Sequence, residues 1–249
     1  MPDDTAIGGP RGRFPTTHWS AVAAARSPDP DERTRALDVL VAAYWKPVYK
    51  YIRLRWGKSN EDAKDLTQEF FARLIEKDFL GSYDPAKARL RTFVRTCIDR
   101  LVSNRDRDAG RLKRGGEGTL LSLDFDVAED ELARAGDAAP ADMDESFEKE
   151  WARSVFALAV ERLRASCEAR GKLVHFRLFE RYDLQEDEAQ ITYHQLAREF
   201  GLAPSDVTNY LAFARREFRR LVLETLRSIT ATEDEFRREA RALLGVDPA

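Results

Sequence analysis

The residues whose types and spacing point most clearly to chemistry are cations repeated along one face of a predicted helix. From Lys87 to Arg114 the chain has ten basic residues and three acidic ones, a net charge of +7. Such a face gains affinity for a nucleic acid by releasing counterions from its phosphates, and the rings of Tyr83 and Phe93 offer platforms for unpaired bases. An ordinary solvated helix face is the alternative. The helical cations are Arg89, Arg91, Arg95 and Arg100, followed by Arg105 and Arg107.

A second group of candidate residues opens a predicted helix near the other end of the chain. A short amphipathic helix ends at Gly201, and Pro204 suits the first position of the helix that follows. This pattern predicts a helix-turn-helix, whose second helix places its N-terminal residues in a DNA major groove. Thr208 and Asn209 stand where side chains reach base edges, and a helical hairpin in an ordinary bundle is the alternative. Cations that would hold phosphates follow at Arg215, Arg216, Arg219 and Arg220.

Neither catalytic nor metal-binding chemistry finds a matching pattern. Carboxylate pairs such as Asp62 and Asp65 have helical spacing, but no His, Ser or Cys is placed to form a nucleophilic site with them. The histidines and cysteines lack metal-ligand spacing, and they suggest no disulfide framework. We therefore expect no catalytic residue, no metal and no cofactor. The scattered residues are His18, His175, His194, Cys97 and Cys167.

Helices must position both groups of cations, because strand patterns are almost absent. Three amphipathic helices are predicted between about Arg35 and Asp108, with Pro47 predicting a kink or a break in the first. Ser59 and Asp62 match a capping box at the start of the second. The third carries the basic face, so the three form a small bundle with one strongly cationic side.

Periodicity fails between Gly115 and Asp144, and acidic residues dominate there. From Glu117 to Glu150 twelve acidic residues stand against two basic ones, a net charge of −10. This stretch is predicted to be a flexible linker, with apolar islands that could dock part of it. Helix resumes near Ser146, and a last helix is predicted from Thr232, with Glu235 completing a capping box. The apolar islands are Leu120, Leu121, Leu123 and Phe125.

The two charge blocks explain why the whole chain, at −3, looks indifferent to nucleic acid. The segregation suggests that the acidic linker and the basic face associate with each other when no larger partner is present. No signal-peptide core opens the chain, and no apolar run approaches the ~18 residues of a membrane span. We expect a soluble cytoplasmic protein without a membrane partner.

Several of these stretches resemble bacterial sigma factors, especially the extracytoplasmic-function (ECF) group. The run Asn60–Phe71 (NEDAKDLTQEFF) resembles region 2.2, and Tyr83–Arg95 resembles regions 2.3 to 2.4. Ile191–Leu221 is similar to region 4, the part of these proteins that recognises the −35 promoter element. Phe14–Trp19 (FPTTHW) resembles an opening found in some ECF-like members. The order and separation of the motifs make the combination specific.

The resemblance implies an all-α protein with two small helical domains joined by a long acidic linker. Its partners would be core RNA polymerase and promoter DNA in the bacterial cytoplasm, and the chain would be a specificity subunit rather than an enzyme. Whether an anti-sigma factor or self-inhibition controls it is left open. The implied segments are 1–34 (N-terminal segment), 35–114 (region 2), 115–148 (flexible acidic linker), 149–228 (region 4) and 229–249 (C-terminal helical extension).

The resemblance also implies a role for individual residues. Polymerase would bind the face bearing Asp62, Asp65, Leu66, Gln68 and Glu69. The −10 element would be melted and held by Lys87, Arg89, Arg91, Phe93, Arg95, Arg100, Asn104 and Arg107. The −35 element would be contacted by Ser205, Thr208, Asn209, Tyr210, Phe213, Arg215, Arg216 and Arg219.

The chain departs from the family pattern in places. Ala88 and Phe93 stand where Gly and Trp are usual, and Thr208 and Tyr210 replace common basic residues, so no −35 sequence can be carried over. The family suggests no role for the extension, which could be a regulatory cap or a packing helix. The rival function is a stand-alone helix-turn-helix regulator, which would explain Ile191–Leu221 but leave the polymerase-binding motif without a purpose.

Overall fold

A computed structural model describes residues 20–76, 80–108, 123–135, 142–185 and 191–246, and all regular structure within these ranges is helical. The all-α fold is therefore confirmed, while the FPTTHW opening lies outside the described residues. A 3₁₀ turn covers Leu80–Ser82, and a π-helical turn covers Glu180–Leu184. The α-helices are α1 (Ala21–Ala24), α2 (Pro30–Arg55), α3 (Asn60–Glu76), α4 (Leu90–Asp108), α5 (Phe125–Ala135), α6 (Met143–Ala169), α7 (Leu173–Phe179), α8 (Tyr193–Phe200), α9 (Pro204–Ile229) and α10 (Glu233–Leu244).

Helix α2 is the long central element, and it does not break at Pro47. Its N-terminus is capped by Asp29, whose Oδ1 accepts a hydrogen bond from the Asp31 amide at 3.0 Å. Pro47 removes one backbone hydrogen bond. The residues beside it are nevertheless held in the core, since Val48 and Ile52 are fully buried. Packing of this face therefore outweighs the local cost of the proline.

Helices α3 and α4 complete the predicted three-helix group against α2. Phe70 and Phe71 meet edge to face with ring centroids 5.1 Å apart, and both are buried. Ile98 and Val102 on α4 are fully buried as well. The apolar stripes predicted from helical spacing are thus the faces that meet.

Helix α6 joins the two halves of the molecule into one hydrophobic core. Its N-terminal half packs on α2, where Phe147 meets the ring of Tyr51 edge to face at 5.6 Å. Its C-terminal half packs on α9, where Phe156 lies 6.0 Å from the ring of Phe218. Trp151, near the middle, is among the largest fully buried side chains of the described residues. The helices before and after the acidic stretch therefore pack against a shared element.

Helix α5 corrects the expectation of a linker without regular structure. Phe125 packs against the rings of Trp45 and Tyr49 on α2, at 5.7 and 5.1 Å, and Ala128 is fully buried. With Leu132 these residues repeat at three and four positions, which is one helix face. This short apolar face was not predicted as a helix because acidic residues dominate the sequence around it. The apolar islands Leu120 and Leu121 lie outside the described residues.

Helix α8 ends and helix α9 begins where the sequence predicts. Thr192 and Gln195 form a capping box at the start of α8, and Gly201 ends it in the left-handed conformation at φ +65°. Helix α9 then begins at Pro204. At α10 the Thr232 hydroxyl accepts from the Glu235 amide, but the Glu235 carboxylate does not close the box. It accepts instead from the amides of Ala231 and Leu90, at 2.9 and 3.1 Å.

Candidate nucleic-acid interface

The C-terminal half of α4 presents its polar side chains to solvent, as the sequence predicts. Arg100, Asn104 and Arg107 are exposed. Arg107 donates to the Asn104 side-chain oxygen at 2.9 Å, which holds the two groups side by side. Lys87, before the helix, is also exposed, with Asp84 at 3.4 Å. All four residues are therefore accessible, with Lys87 at one end of α4 and the other three at the opposite end.

The N-terminal half of α4 is different, because Arg91 lies inside the protein. Its side chain is 6% exposed and lies between two carboxylates, with Glu148 at 2.7 Å and Glu239 at 2.9 Å. The guanidinium also stacks over the Trp151 ring at 3.9 Å. The predicted placement of Arg91 on the basic surface is therefore wrong for this conformation. A buried cation needs such partners, and here they come from α6 and α10.

Three further residues of the predicted −10 set are partly engaged with neighbours. Arg95 is 11% exposed at its side chain and pairs with Asp144 at 3.2 Å. Phe93 packs on the Tyr83 ring at 5.3 Å, so the two predicted stacking platforms contact each other. Arg89 is half exposed, with Glu239 at 3.7 Å. The exposed part of the predicted −10 set thus narrows to Lys87, Arg89, Arg100, Asn104 and Arg107.

Carboxylates of the acidic stretch supply many partners for the cations of α2 and α4. Besides Asp144 and Glu148, Glu131 on α5 pairs with Lys46 and Lys50 of α2, at 2.7 and 2.6 Å. Glu129 binds Arg53 at 2.7 Å and accepts from the Tyr49 hydroxyl at 2.5 Å. The hydrogen bond from Arg53 lowers the pKa of Glu129. The pairs from Asp144 and Glu148 join the acidic stretch to the basic helix α4, whereas those from Glu129 and Glu131 go to α2.

The predicted polymerase-binding residues on α3 divide between surface and core. Asp62 and Asp65 are exposed, and Gln68 is half buried. Glu69 is committed to Arg73 and to Arg105 of α4, whose Nη2 is 2.6 Å from its Oε2. Leu66 is only 7% exposed and belongs to the core, which corrects its predicted place on the contact surface. The accessible part of this set is therefore Asp62, Asp65 and the outer edge of Gln68.

The start of α9 exposes the residues predicted to reach base edges. Ser205, Thr208 and Asn209 are all exposed, and the Thr208 hydroxyl donates back to the Pro204 carbonyl at 3.1 Å. Arg216 and Arg219, two and three turns further on, are exposed. Among the described residues, neither has an ion-pair or hydrogen-bond partner. A helix N-terminus with polar side chains and unpaired cations behind it is suited to a major groove and its phosphates.

Three other members of the predicted −35 set contact neighbouring side chains of the protein itself. Tyr210 stacks on His175 with ring centroids 3.9 Å apart, and Phe213 meets the same ring edge-on at 5.2 Å. Arg215 lies 2.8 Å from Asp183, and hydrogen bonds to that carboxylate raise the pKa of the guanidinium. Tyr210 and Phe213 are only half buried, but their rings hold α7 against α9. Their predicted role as free DNA contacts is therefore not supported by this conformation.

One group of cations, on α10, was not predicted from the sequence. Arg237, Arg238 and Arg241 are exposed on the side of the helix opposite its buried residues, Phe236 and Ala240. Their spacing of one and four residues is a helical face pattern that could have been found. The pattern does not stand out in the sequence, because neighbouring acidic residues offset the charge of the three arginines.

Other site chemistry is absent from the described ranges. No cluster of histidine, cysteine or carboxylate side chains there could hold a metal ion. Cys97 and Cys167 are buried and unpaired, and burial raises the pKa of the Cys97 thiol to about 11. Among the same residues, no helix combines the length and apolar character that a bilayer crossing needs.

Comparison with known families gives one match. Residues 40–112 match the family model of sigma-70 region 2, which covers most of α2 and all of α3 and α4. No curated protein and no solved structure is significantly similar to the chain. The match covers the surface that carries Asp65 and the exposed half of α4. It supports a sigma factor of the sigma-70 family and, with it, a part in promoter recognition by RNA polymerase.

Proposed function

We propose, from the premise of a sigma-70 region 2 domain, that this chain is an ECF-type sigma factor. It binds core RNA polymerase and directs initiation at chosen promoters, with region 2 melting the −10 element and α8–α9 contacting the −35 element. It supplies specificity and no catalysis, and it acts in the bacterial cytoplasm. The observation that carries the proposal is the region 2 match at residues 40–112. The helix pair α8–α9, with polar residues exposed at the start of α9, supports its second half.

Polymerase binding falls to the outer face of α3. Asp62 and Asp65 are exposed carboxylates one helical turn apart, and Gln68 follows on the same side. Such a strip suits a partner that offers cations and hydrogen-bond donors. Leu66, from the same motif, is buried in the core, so it helps to fix which side of α3 faces solvent.

Contact with the −10 element falls to the accessible part of α4. Arg100, Asn104 and Arg107 are exposed, with Lys87 and Arg89 at the other end of the helix. Cations there hold phosphates, and unpaired bases need aromatic surfaces on which to stack. Phe93 and Tyr83 contact each other in this structure. Of the two rings, Phe93 is the more accessible one for a base, because Tyr83 is buried.

Contact with the −35 element falls to the first turns of α9. Thr208 and Asn209 are exposed where a recognition helix meets base edges, and Asn can contact adenine through two hydrogen bonds. Arg216 and Arg219 lie further along α9 and suit phosphates on either side. The long helix that carries these groups is anchored by fully buried Leu211 and Ala214.

Transcription with purified components tests the proposal. Core polymerase plus the full chain should start transcription at defined sites in genomic DNA, and core polymerase alone should not. Combining Asp65→Ala with Gln68→Ala should weaken binding to core polymerase about tenfold or more, the scale of a few contact residues at one interface. Glu168→Ala, an exposed acid on α6, is the matched control and should change nothing.

Two results would contradict the proposal. Defined starts that appear without the chain would remove its role in promoter choice. Tight duplex binding by the chain alone, with no effect of added core polymerase, would favour a stand-alone helix-turn-helix regulator. Retained polymerase affinity in the Asp65 and Gln68 variant would reject only the assigned face of α3.

A further inference from the structure

Helix α10, in the extension that lies beyond the predicted region 4, is fixed against the N-terminal end of α4. Phe236 and Ala240 are buried in the core, and Glu239 pairs with Arg91 at 2.9 Å. The Glu235 carboxylate accepts from the Leu90 amide at 3.1 Å, which caps the first turn of α4. These bonds join α10 to the N-terminal end of α4.

The outer side of this junction is a groove lined mainly by arginine. Its volume is about 420 Å³, and its walls are Arg89, Asp234, Arg237, Arg238, Arg241 and Ala242. Four guanidinium groups thus face one carboxylate. The carboxylates that hold α10 in place, Glu235 and Glu239, point inward and are at most 4% exposed. The helix buries its acids against α4 and directs its cations outward.

The ion pairs of Arg237 and Arg89 offset only part of this charge. Arg237 is 56% exposed at its side chain, with Glu233 at 3.4 Å, and Arg89 is 46% exposed with Glu239 at 3.7 Å. Such exposed and loose pairs contribute little. Like charges gathered in one groove repel each other, and an anion with several oxygens relieves that repulsion. The groove therefore fits a polyanion.

We propose that the α10 groove binds the phosphate backbone of promoter DNA and extends the −10 surface of α4 onto the C-terminal extension. Arg89 belongs to both surfaces, so the α10 groove adjoins the N-terminal end of the −10 surface. This inference rests on the proposed function, because it assigns α10 a place in the same promoter complex. It gives the extension a role in affinity that is independent of base sequence.

The salt dependence of promoter binding by the holoenzyme tests this. The triple variant Arg237→Gln, Arg238→Gln, Arg241→Gln should bind a mapped promoter fragment about tenfold or more weakly. The slope of log K against log salt should fall by roughly two to three, at about 0.7–0.9 for each phosphate that is no longer neutralised. Arg134→Gln, Arg164→Gln, Arg177→Gln removes the same charge from exposed positions elsewhere and should keep the wild-type slope. Asp234→Asn should strengthen binding in the same titration.

The outcomes separate the groove from the rest of the proposal. An unchanged slope in the α10 triple variant, with helix content intact by circular dichroism, overturns the inference while the sigma-factor function stands. Loss of affinity for core polymerase with an unchanged DNA slope also overturns it, since the groove would then bind protein. A wild-type chain that gives no polymerase-dependent start site instead contradicts the proposed function itself.

Discussion

Arg91 and Arg100 lie on the same helix, and their surroundings differ completely. Arg91 is enclosed by Glu148, Glu239 and the Trp151 ring, whereas Arg100 is exposed. The sequence analysis assigns both residues to the same basic surface, although nine positions at about 100° per residue place them on opposite sides of α4. The difference arises from partners 57 and 148 positions further along the chain. Sequence periodicity cannot locate such contacts, since they depend on how α6 and α10 pack.

Asn209 and Arg219 should separate base recognition from phosphate binding. Asn209→Ala removes a side chain that can form two hydrogen bonds to one base, so it should cost about 1–3 kcal/mol at the matching position and relax the preference there. Arg219→Ala should weaken all promoters alike and lower the salt slope by about one. Measuring holoenzyme affinity over a set of −35 variants distinguishes the two. Identical profiles for both variants would mean that the position of α9 on DNA is assigned wrongly.

His175 should make the α7–α9 contact sensitive to pH. Burial, and then the nearby Lys172 ammonium, lower the pKa of His175 below its ordinary value of 6.5. The unfolded chain therefore takes up the proton first as pH falls below 6.5. Folding stability should consequently decline from there until the folded-state pKa is passed. The ring stacks on Tyr210, so the group responsible for this decline lies at the contact between α7 and α9.

His175→Phe provides the comparison for this pH effect. The variant keeps a ring against Tyr210 and Phe213 but binds no proton. Urea unfolding at pH 7 and pH 5 should show a smaller drop in unfolding free energy in the variant than in the wild type. Equal drops in the two proteins would assign the acid sensitivity to other groups.

At the scale of elements, α5 has a small contact with the rest of the fold. It is held by Phe125 between Trp45 and Tyr49, by buried Ala128, and by the pair between Glu129 and Arg53. An 11-residue helix is marginal on its own. Its helical state therefore depends on docking to α2, which explains why its residues alone indicate a helix so weakly.

Phe125→Ala should undock α5 without unfolding the molecule. Truncation of a buried Phe costs about 3–5 kcal/mol where the whole fold must bear it, but a small peripheral helix can open locally at lower cost. Hydrogen exchange in residues 125–135 should become nearly unprotected while α3 keeps its protection. Val127→Ala, at a position 42% exposed on the same helix, should leave exchange unchanged. Equal protection of α5 in both variants would show that its ion pairs suffice.

A helix can be predicted from the sequence when it is long or when the residues that define it are close together in the chain. Helices α3, α4, α8 and α9 were predicted because each has a long apolar stripe or its own capping residues. The Thr192–Gln195 box and Gly201 set the bounds of α8 within ten residues of sequence. The continuity of α2 through Pro47 and the second bonding partner of Glu235 depend on remote packing. The exposed edges of α4 and α9 were therefore predictable, while their covered parts were not.

At the scale of the whole molecule, α6 is the element that packs against both halves and joins them. Phe147 and Trp151 pack on α2, and Phe156 and Arg162 pack on α9 or bond to it. Between them the helix remains continuous over 27 residues. The Ser20 hydroxyl also donates to the Thr230 carbonyl at 2.6 Å, which ties the chain before α2 to the end of α9. The surfaces proposed for the −10 and −35 elements thus belong to one packed unit.

This packing should make the described helices unfold together. A continuous helix that contributes side chains to both halves transmits the unfolding of either, so α3 and α9 should share one free energy of global opening. Hydrogen exchange at increasing urea measures both helices in one sample. Trp151→Ala removes the buried ring that packs α6 against Tyr44 of α2, so it should lower the free energy of unfolding by about 3–5 kcal/mol. It should also separate the openings of α3 and α9, because fewer contacts then join α6 to α2. Leu184→Ala, at a position 42% exposed, should shift neither helix by more than about 0.5 kcal/mol. Distinct opening energies for α3 and α9 in the wild-type protein would mean that the two promoter-contacting surfaces are held together only weakly in the free chain.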